Sequence, residues 1–256
     1  MEPARLLRDK ISRRELTTGL LVTDHLWTDL VEIAARAQID YLIVDMEHGP
    51  AGPDLVAEVC ATGRRIGMPV LLRPRSNDYA TIRLAADLGP CGFLLASVET
   101  AEELDIVRDG LYLPPRGKRR PGGPGNRWVR DFSAATWKAE VEDDFIVLPQ
   151  IETRIGLSNL AEIASHELTT ALAIGPYDLS AELGVCGEMN SPVLQETLFH
   201  IRAMGDAVGK ATWMIGGNAA ELVRNGWRFI CVGEPTWILY AALRDKVSQA
   251  QQGLDA

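Results

Sequence analysis

Four short stretches of this chain set acids, an amide, an imidazole or a guanidinium directly after an apolar run. They are YLIVDMEHGP at 41–50, VLLRPRSND at 70–78, LPQIETR at 148–154 and AIGPYDLS at 173–180. A buried strand interior has no use for Asp45, Glu47, His48 or Arg73, so these residues mark strand ends. Glu152 and Asp178 have no cysteine or second histidine beside them. They suit a hard divalent cation such as Mg²⁺ or Mn²⁺, with Co²⁺ also in range, because such ions take oxygen ligands and keep positions for water or substrate. Arg73 could offset a substrate carboxylate or a developing enolate. His48 is the proton carrier of the set. Together the residues spell metal-assisted chemistry on a small oxyanion.

Each residue also has a plainer role. Glu152 could be an acid favourable to a helix N-terminus, and Asp178 after Gly-Pro could be an N-cap. Arg73 could be a structural partner of Asp45 or Glu47, and His48 a turn residue bonded to backbone.

The elements that must position these groups follow from the apolar runs. Short runs at 18–22, 41–45, 69–73, 92–96, 145–151, 170–174, 212–215 and 228–232 are apolar at consecutive positions, the pattern of parallel strands covered on both faces. Segments of helical period separate them, several ending at a glycine suited to a left-handed cap: Gly63, Gly89, Gly110, Gly209 and Gly226. Eight such units in 256 residues predict a single α/β domain, a (βα)₈ TIM barrel spanning 1–256. A doubly wound sheet is the competitor, but no G-x-G-x-x-G follows the first strand. In a barrel the site is built at the C-terminal ends of the strands, where strands two, three, five and six deliver their polar groups. Strand four offers only Ser97 and Glu99. The Pro- and Gly-rich stretch 113–130 reads as a long loop.

Bulk properties exclude several classes. Hydrophobic residues make up 46% and charged residues 24%, the composition of a globular protein with a sizeable core. A formal charge of -9 argues against nucleic-acid and anionic-membrane partners. Cys60, Cys91, Cys186 and Cys231 form no C-x-x-C pair and read as buried free thiols of a reducing compartment. The first 16 residues carry charges throughout, with no apolar core of a secretory signal, so the cytoplasm is the expected location.

IVDMEHGP, LLRPRSND, LPQIETRIGLSNLAEI and AIGPYDLSAELG, in this order and spacing, resemble the HpcH/HpaI pyruvate-aldolase branch of the aldolase/citrate lyase family. The resemblance runs from about Gly19 to Gly184 and continues more loosely beyond. It implies a phosphoenolpyruvate/pyruvate-type barrel and a class II aldolase that joins or cleaves pyruvate, held as its enolate, and an aldehyde. Glu152 and Asp178 would bind the metal, and Gln150 would support them. Arg73 would steady the enolate oxygen, and the backbone N–H groups around Tyr177 and Asp178 would hold the pyruvate carboxylate. His48 would be the acid/base group, paired with Asp87. The resemblance further implies a homo-oligomer, trimer or hexamer, in which the final helix (about 234–250) packs on a neighbouring subunit.

Four departures from the family pattern stand out: Arg75-Ser76 where a Trp is usual at the second position, Ala96-Ser97 for a Pro-Met pair, no Trp near Leu21, and a basic loop at 116–130. They are expected to shape the pocket for the second substrate and to leave the metal core alone. Two other functions fit the same residues: condensation of an oxaloacetate-like enolate with an acyl thioester, the basic loop holding the acyl donor, and a non-catalytic oxo-acid-binding barrel.

Overall fold

A computed structural model describes residues 1–120, 127–129, 133–216 and 218–254. Eight parallel strands close into one barrel in sequential order: β1 (Thr17–Val22), β2 (Tyr41–Asp45), β3 (Val70–Arg73), β4 (Gly92–Leu95), β5 (Ile146–Ile151), β6 (Ala171–Ile174), β7 (Ala211–Ile215) and β8 (Phe229–Gly233). Strands β2 to β6 are buried at every position. That is why their sequence shows unbroken apolar runs instead of alternation. Inside the barrel the Tyr41 hydroxyl accepts from Trp213 Nε1 at 2.7 Å and donates to the Ile230 carbonyl at 2.8 Å, tying β2, β7 and β8.

The helices alternate with the strands: α1 (Glu2–Ser12), α2 (Asp29–Arg36), α3 (Pro53–Ile66), α4 (Tyr79–Asp87), α5 (Ala101–Leu111), α6 (Ala134–Glu140), α7 (Arg154–Ser158), α8 (Leu160–Ser165), α9 (Pro176–Glu182), α10 (Pro192–Ala207), α11 (Ala219–Arg224) and α12 (Pro235–Gln252). The first is absent from the segments of helical period read in the sequence, although its buried residues recur at helical spacing. It buries Ala4, Leu7 and Ile11, and its Arg8 donates to the Phe145 carbonyl at 2.7 Å, just before β5. Thus α1 lies against the N-terminal ends of the strands, opposite the expected site.

Of the five expected glycine caps, Gly89, Gly209 and Gly226 adopt positive φ. Gly63 and Gly110 do not end helices. They lie inside α3 and α5, where a Cβ would stand 2.7 Å from the Met68 carbonyl and 2.9 Å from Ile82, respectively. Close packing, not capping, selects glycine there. The expectation of four buried thiols also needs correction, since Cys186 is exposed.

The last helix stands apart. None of the residues of α12 is buried, although Trp237, Leu239, Tyr240, Leu243 and Val247 line it.

Candidate functional site

Strand register sets the first half of the site. Asp45 and Arg73 are the last residues of β2 and β3 and are paired across them. Arg73 Nε donates to Asp45 Oδ1 at 2.9 Å and Nη2 to Oδ2 at 2.5 Å, with both residues buried. The Thr23 hydroxyl at the end of β1 donates to Oδ2 at 3.0 Å. The N–H groups of Glu47 and His48 donate to Oδ1 at 3.0 and 3.2 Å. One carboxylate therefore fixes the guanidinium of the next strand and the turn that follows its own. Glu47 Oε2 lies 3.3 Å from Arg73 Nε and 3.7 Å from His48 Nε2, and the His48 side chain is 65% exposed. The Nη1 of Arg73 has no partner among the described residues.

Burial alone would raise the Asp45 carboxyl, but the Arg73 hydrogen bonds and charge outweigh it and hold it below the usual carboxylate range. Burial would likewise lower the Arg73 guanidinium, yet Asp45, Glu47 and Glu152 raise it on balance. The plain reading of Arg73 as a partner of Asp45 and Glu47 is thus correct for two of its nitrogens. It does not exhaust the side chain.

The second half is built at the ends of β4, β5 and β6. Glu152, one residue past β5, is buried. Its Oε1 accepts from the Ser97 N–H at 2.7 Å and the Ser97 hydroxyl at 2.8 Å. Its Oε2 accepts from Gln150 Nε2 at 2.6 Å. Gly175 then passes so close that a Cβ there would fall 2.0 Å from Oε2. Only glycine lets β6 leave the barrel over this carboxylate. Burial raises the Glu152 carboxyl, Ser97 opposes that, and the charges of Asp178 and Glu47 add to the rise.

Asp178 is exposed in the first turn of α9 and has no hydrogen-bond or ion-pair partner among the described residues. It is not the N-cap, a position held by Gly175, and the N-cap of α7 is Thr153, not Glu152. The N-cap role of Asp178 is therefore unfilled, whereas Glu152, directly before the cap of α7, keeps its plain role as an acid near a helix N-terminus. His48, Arg73, Gln150, Tyr177 and Asp178 all line one cavity of about 810 Å³ at the C-terminal mouth of the barrel.

Asp87 is the residue the chain does not bring in. It ends α4, which descends from the site to the N-terminal side of the barrel, whereas His48 follows β2 at the C-terminal side. Its carboxylate accepts from Arg119 Nη2 at 2.5 Å. Within one chain the expected His48–Asp87 pair is absent.

The basic loop follows α5 on that same N-terminal side. Arg116 pairs with Asp143 at 2.7 Å and Lys118 with Asp109 at 2.5 Å. Buried Arg119 sits over the Trp137 ring at 5.0 Å. These side chains face acids of their own chain and not the cavity at the barrel mouth. The remainder of the loop, 121–126 and 130, lies outside the described residues.

Ser97 also departs from expectation. Ala96-Ser97 was to shape a second-substrate pocket, but Ser97 bonds directly to Glu152. The chain offered no spacing signal for this contact, since 55 residues separate the pair.

The donor set fits a hard divalent cation. Glu152 and Asp178 are oxygen donors close enough for their charges to interact, and Glu47 adds to the same negative field. Among the described residues no three His, Cys, Asp or Glu side chains form a ready-made cage. Mg²⁺-type ions are ordinarily held by one or two carboxylates, completed by water and substrate.

A family model described as HpcH/HpaI aldolase/citrate lyase matches residues 26–234. The 2-keto-3-deoxy-L-rhamnonate aldolase of Escherichia coli (strain K12) is 29% identical over 251 residues, spanning 96% of this chain and 93% of that one. The hydroxypyruvate/pyruvate aldolase of Chromohalobacter salexigens is 30% identical over 222 residues, 85% of this chain and 87% of that one. Among solved structures, an HpcH/HpaI aldolase from Desulfitobacterium hafniense DCB-2 matches with a TM-score of 0.88 at 24% identity, covering 96% of each chain. The citrate synthase SbnG matches at 0.84 with 17% identity, covering 98% of this chain and 99% of that one. Both structural likenesses show the barrel alone.

The Asp45–Arg73 pair yields a stability prediction. Because the Asp45 carboxyl is held low, its contribution is fully present above the ordinary carboxylate range and is lost as pH falls through its lowered value. Asp45→Asn should cost about 3–5 kcal/mol at neutral pH, since it removes the buried counter-charge and leaves the guanidinium only the partly exposed Glu47. Urea unfolding across a pH series should also show a flatter acid limb than wild type.

Proposed function

We propose, from the premise that the chain belongs to the HpcH/HpaI aldolase/citrate lyase family, that Glu152 and Asp178 hold a divalent cation beside which a 4-hydroxy-2-oxo acid is cleaved or formed. The chain is a class II pyruvate aldolase, a carbon–carbon lyase. The observation that carries the reading is convergence. A guanidinium with a free Nη1 and an unpartnered exposed carboxylate line one cavity, and a locked buried carboxylate lies directly behind Gln150 and Gly175 of its wall.

A bound Mg²⁺, Mn²⁺ or Co²⁺ supplies Lewis acidity to the oxo-acid oxygens. The chain's own residues do the rest. Gln150 and Ser97 hold Glu152 in place, and the first N–H groups of α9, around Tyr177 and Asp178, offer donors to the pyruvate carboxylate. In the cleavage direction His48 takes the proton of the 4-hydroxyl. The C3–C4 bond then breaks, the aldehyde leaves, and its electron pair becomes the pyruvate enolate. Arg73 Nη1 donates to the enolate oxygen, where charge develops. Returning the proton to C3 gives pyruvate. Synthesis runs the same steps backwards from pyruvate; with oxaloacetate the bond from C3 to its carboxylate breaks instead, CO₂ leaves, and the electron pair becomes the same enolate.

The thioester condensation is not favoured. Two relatives, at 29% and 30% identity, are named aldolases, and the described part of the basic loop pairs with acids of its own chain on the opposite side of the barrel. No described helix is long and apolar enough to cross a membrane. The exposed apolar face of α12, with Trp237 71% and Leu243 58% exposed, supports a homo-oligomer, a trimer or hexamer, in which this helix packs on a neighbouring subunit.

Pyruvate release from a 4-hydroxy-2-oxo acid, followed with lactate dehydrogenase, should require added Mg²⁺, Mn²⁺ or Co²⁺ and stop in EDTA. Glu152→Ala and Asp178→Ala should each lower kcat/KM by at least about a hundredfold. Full activity in EDTA and in both variants would end the proposal. For the assembly, Leu243→Asp should sediment as a smaller species than wild type, and an unchanged sedimentation coefficient would contradict the packing of α12.

A further inference from the structure

Glu152 is held by three donors, and they are not shared equally between its oxygens. Oε1 accepts two hydrogen bonds, from the amide and the hydroxyl of Ser97. Oε2 accepts one, from Gln150 Nε2. A carboxylate oxygen has two in-plane lone pairs, so Oε1 is filled and Oε2 keeps one. Oε2 is also the oxygen over which Gly175 passes on the way to Asp178.

Ser97 takes an uncommon backbone conformation to do this. Its φ is 50°, in the left-handed region that non-glycine residues seldom adopt. Its neighbours leave it there by design of the loop. Asn77 Nδ2 donates to the Ala96 carbonyl at 2.8 Å on one side, and the Val98 N–H donates to the Gln150 carbonyl at 3.1 Å on the other. The end of β4 is thus pinned to the β3 loop and to β5, with the Ser97 amide and hydroxyl both turned onto one oxygen. Strain of this kind gathers at functional sites.

We infer that Ser97 is a positioning residue that restricts Glu152 to ligation through Oε2 alone, and so selects small octahedral cations over Ca²⁺. Mg²⁺ and Mn²⁺ are served by single carboxylate oxygens in a rigid set, whereas Ca²⁺ is larger and readily takes both oxygens of a carboxylate. Closing Oε1 removes the two-oxygen mode. This rests on the reading of Glu152 and Asp178 as the cation's ligands.

The test is calorimetric titration of the metal-stripped, full-length protein with Mn²⁺ and, separately, Ca²⁺, with the metal-free Tm recorded for each variant. Ser97→Gly keeps the amide and tolerates the positive φ but has no hydroxyl. Ser97→Asn also tolerates that φ and restores a side-chain donor. Wild type should bind Mn²⁺ and favour it over Ca²⁺. In Ser97→Gly the Mn²⁺ Kd should rise about tenfold and the Mn²⁺/Ca²⁺ preference should narrow, while Tm stays at or above that of wild type. Ser97→Asn should recover most of both. A merely structural serine would move Tm and leave the preference alone.

The inference is overturned if Ser97→Gly binds both ions as wild type does, or if the affinity loss follows Tm in both variants. Glu152→Gln separates the two levels. If it binds Mn²⁺ as tightly as wild type, or if wild type binds none, the carboxylate site itself is wrong and the role of Ser97 falls with it.

Discussion

The buried contact between Asp45 and Arg73 is the constraint around which this active site is arranged. Both groups end adjacent strands in register, and both are withdrawn from water. Two charges in that setting persist only if each satisfies the other. Here Asp45 receives the guanidinium on both oxygens and further donors from Thr23, Glu47 and His48. The consequence is geometric. Arg73 cannot swing to solvent, its Nη1 is left as the donor without a protein partner, and the turn bearing His48 is held beside it. An ion pair of this kind is weak evidence of stability but a strong determinant of orientation.

The opposite wall obeys the same logic with the sign of the cost reversed. Glu152 is buried, and the nearby charges of Asp178 and Glu47 make its ionised form harder to keep. Three protein donors, two from Ser97 and one from Gln150, offset part of that cost. A divalent cation would offset the remainder, which is why this barrel mouth suits metal-assisted enolate chemistry better than a plain binding pocket. The walls are mechanically joined through Asn77, which ties the loop after Arg73 to the residue before Ser97. Disturbance of the β3 loop therefore reaches the Glu152 carboxylate without a change in Glu152 or Asp178 themselves.

Much of this was legible in the chain. Parallel strands buried on both faces write themselves as consecutive apolar residues, so each of the eight runs lies within about one residue of its strand. Polar residues at 45, 47, 48, 73, 152 and 178 then marked the strand ends on one rim. What stayed hidden was contact between elements distant in sequence. Nothing near Ser97 announces Glu152, and nothing near Asp87 announces Arg119, because side-chain pairing across a barrel leaves no local period. Gly63 and Gly110 misled for a related reason, since a glycine chosen for close packing looks the same in sequence as one chosen for a cap. The face on which the basic loop falls was decided by direction alone: it follows a helix, and helices in this fold return to the N-terminal side.

The central claim is that Glu152, Asp178 and Arg73 together stabilise an oxo-acid enolate. Exchange of the pyruvate methyl protons in D₂O, followed by NMR, reports that step without any aldehyde. Exchange should be fast with Mn²⁺ or Mg²⁺, absent in EDTA, and lost in Glu152→Gln even when that variant is folded. Exchange that continues at the same rate without metal, or in Glu152→Gln, would contradict the account.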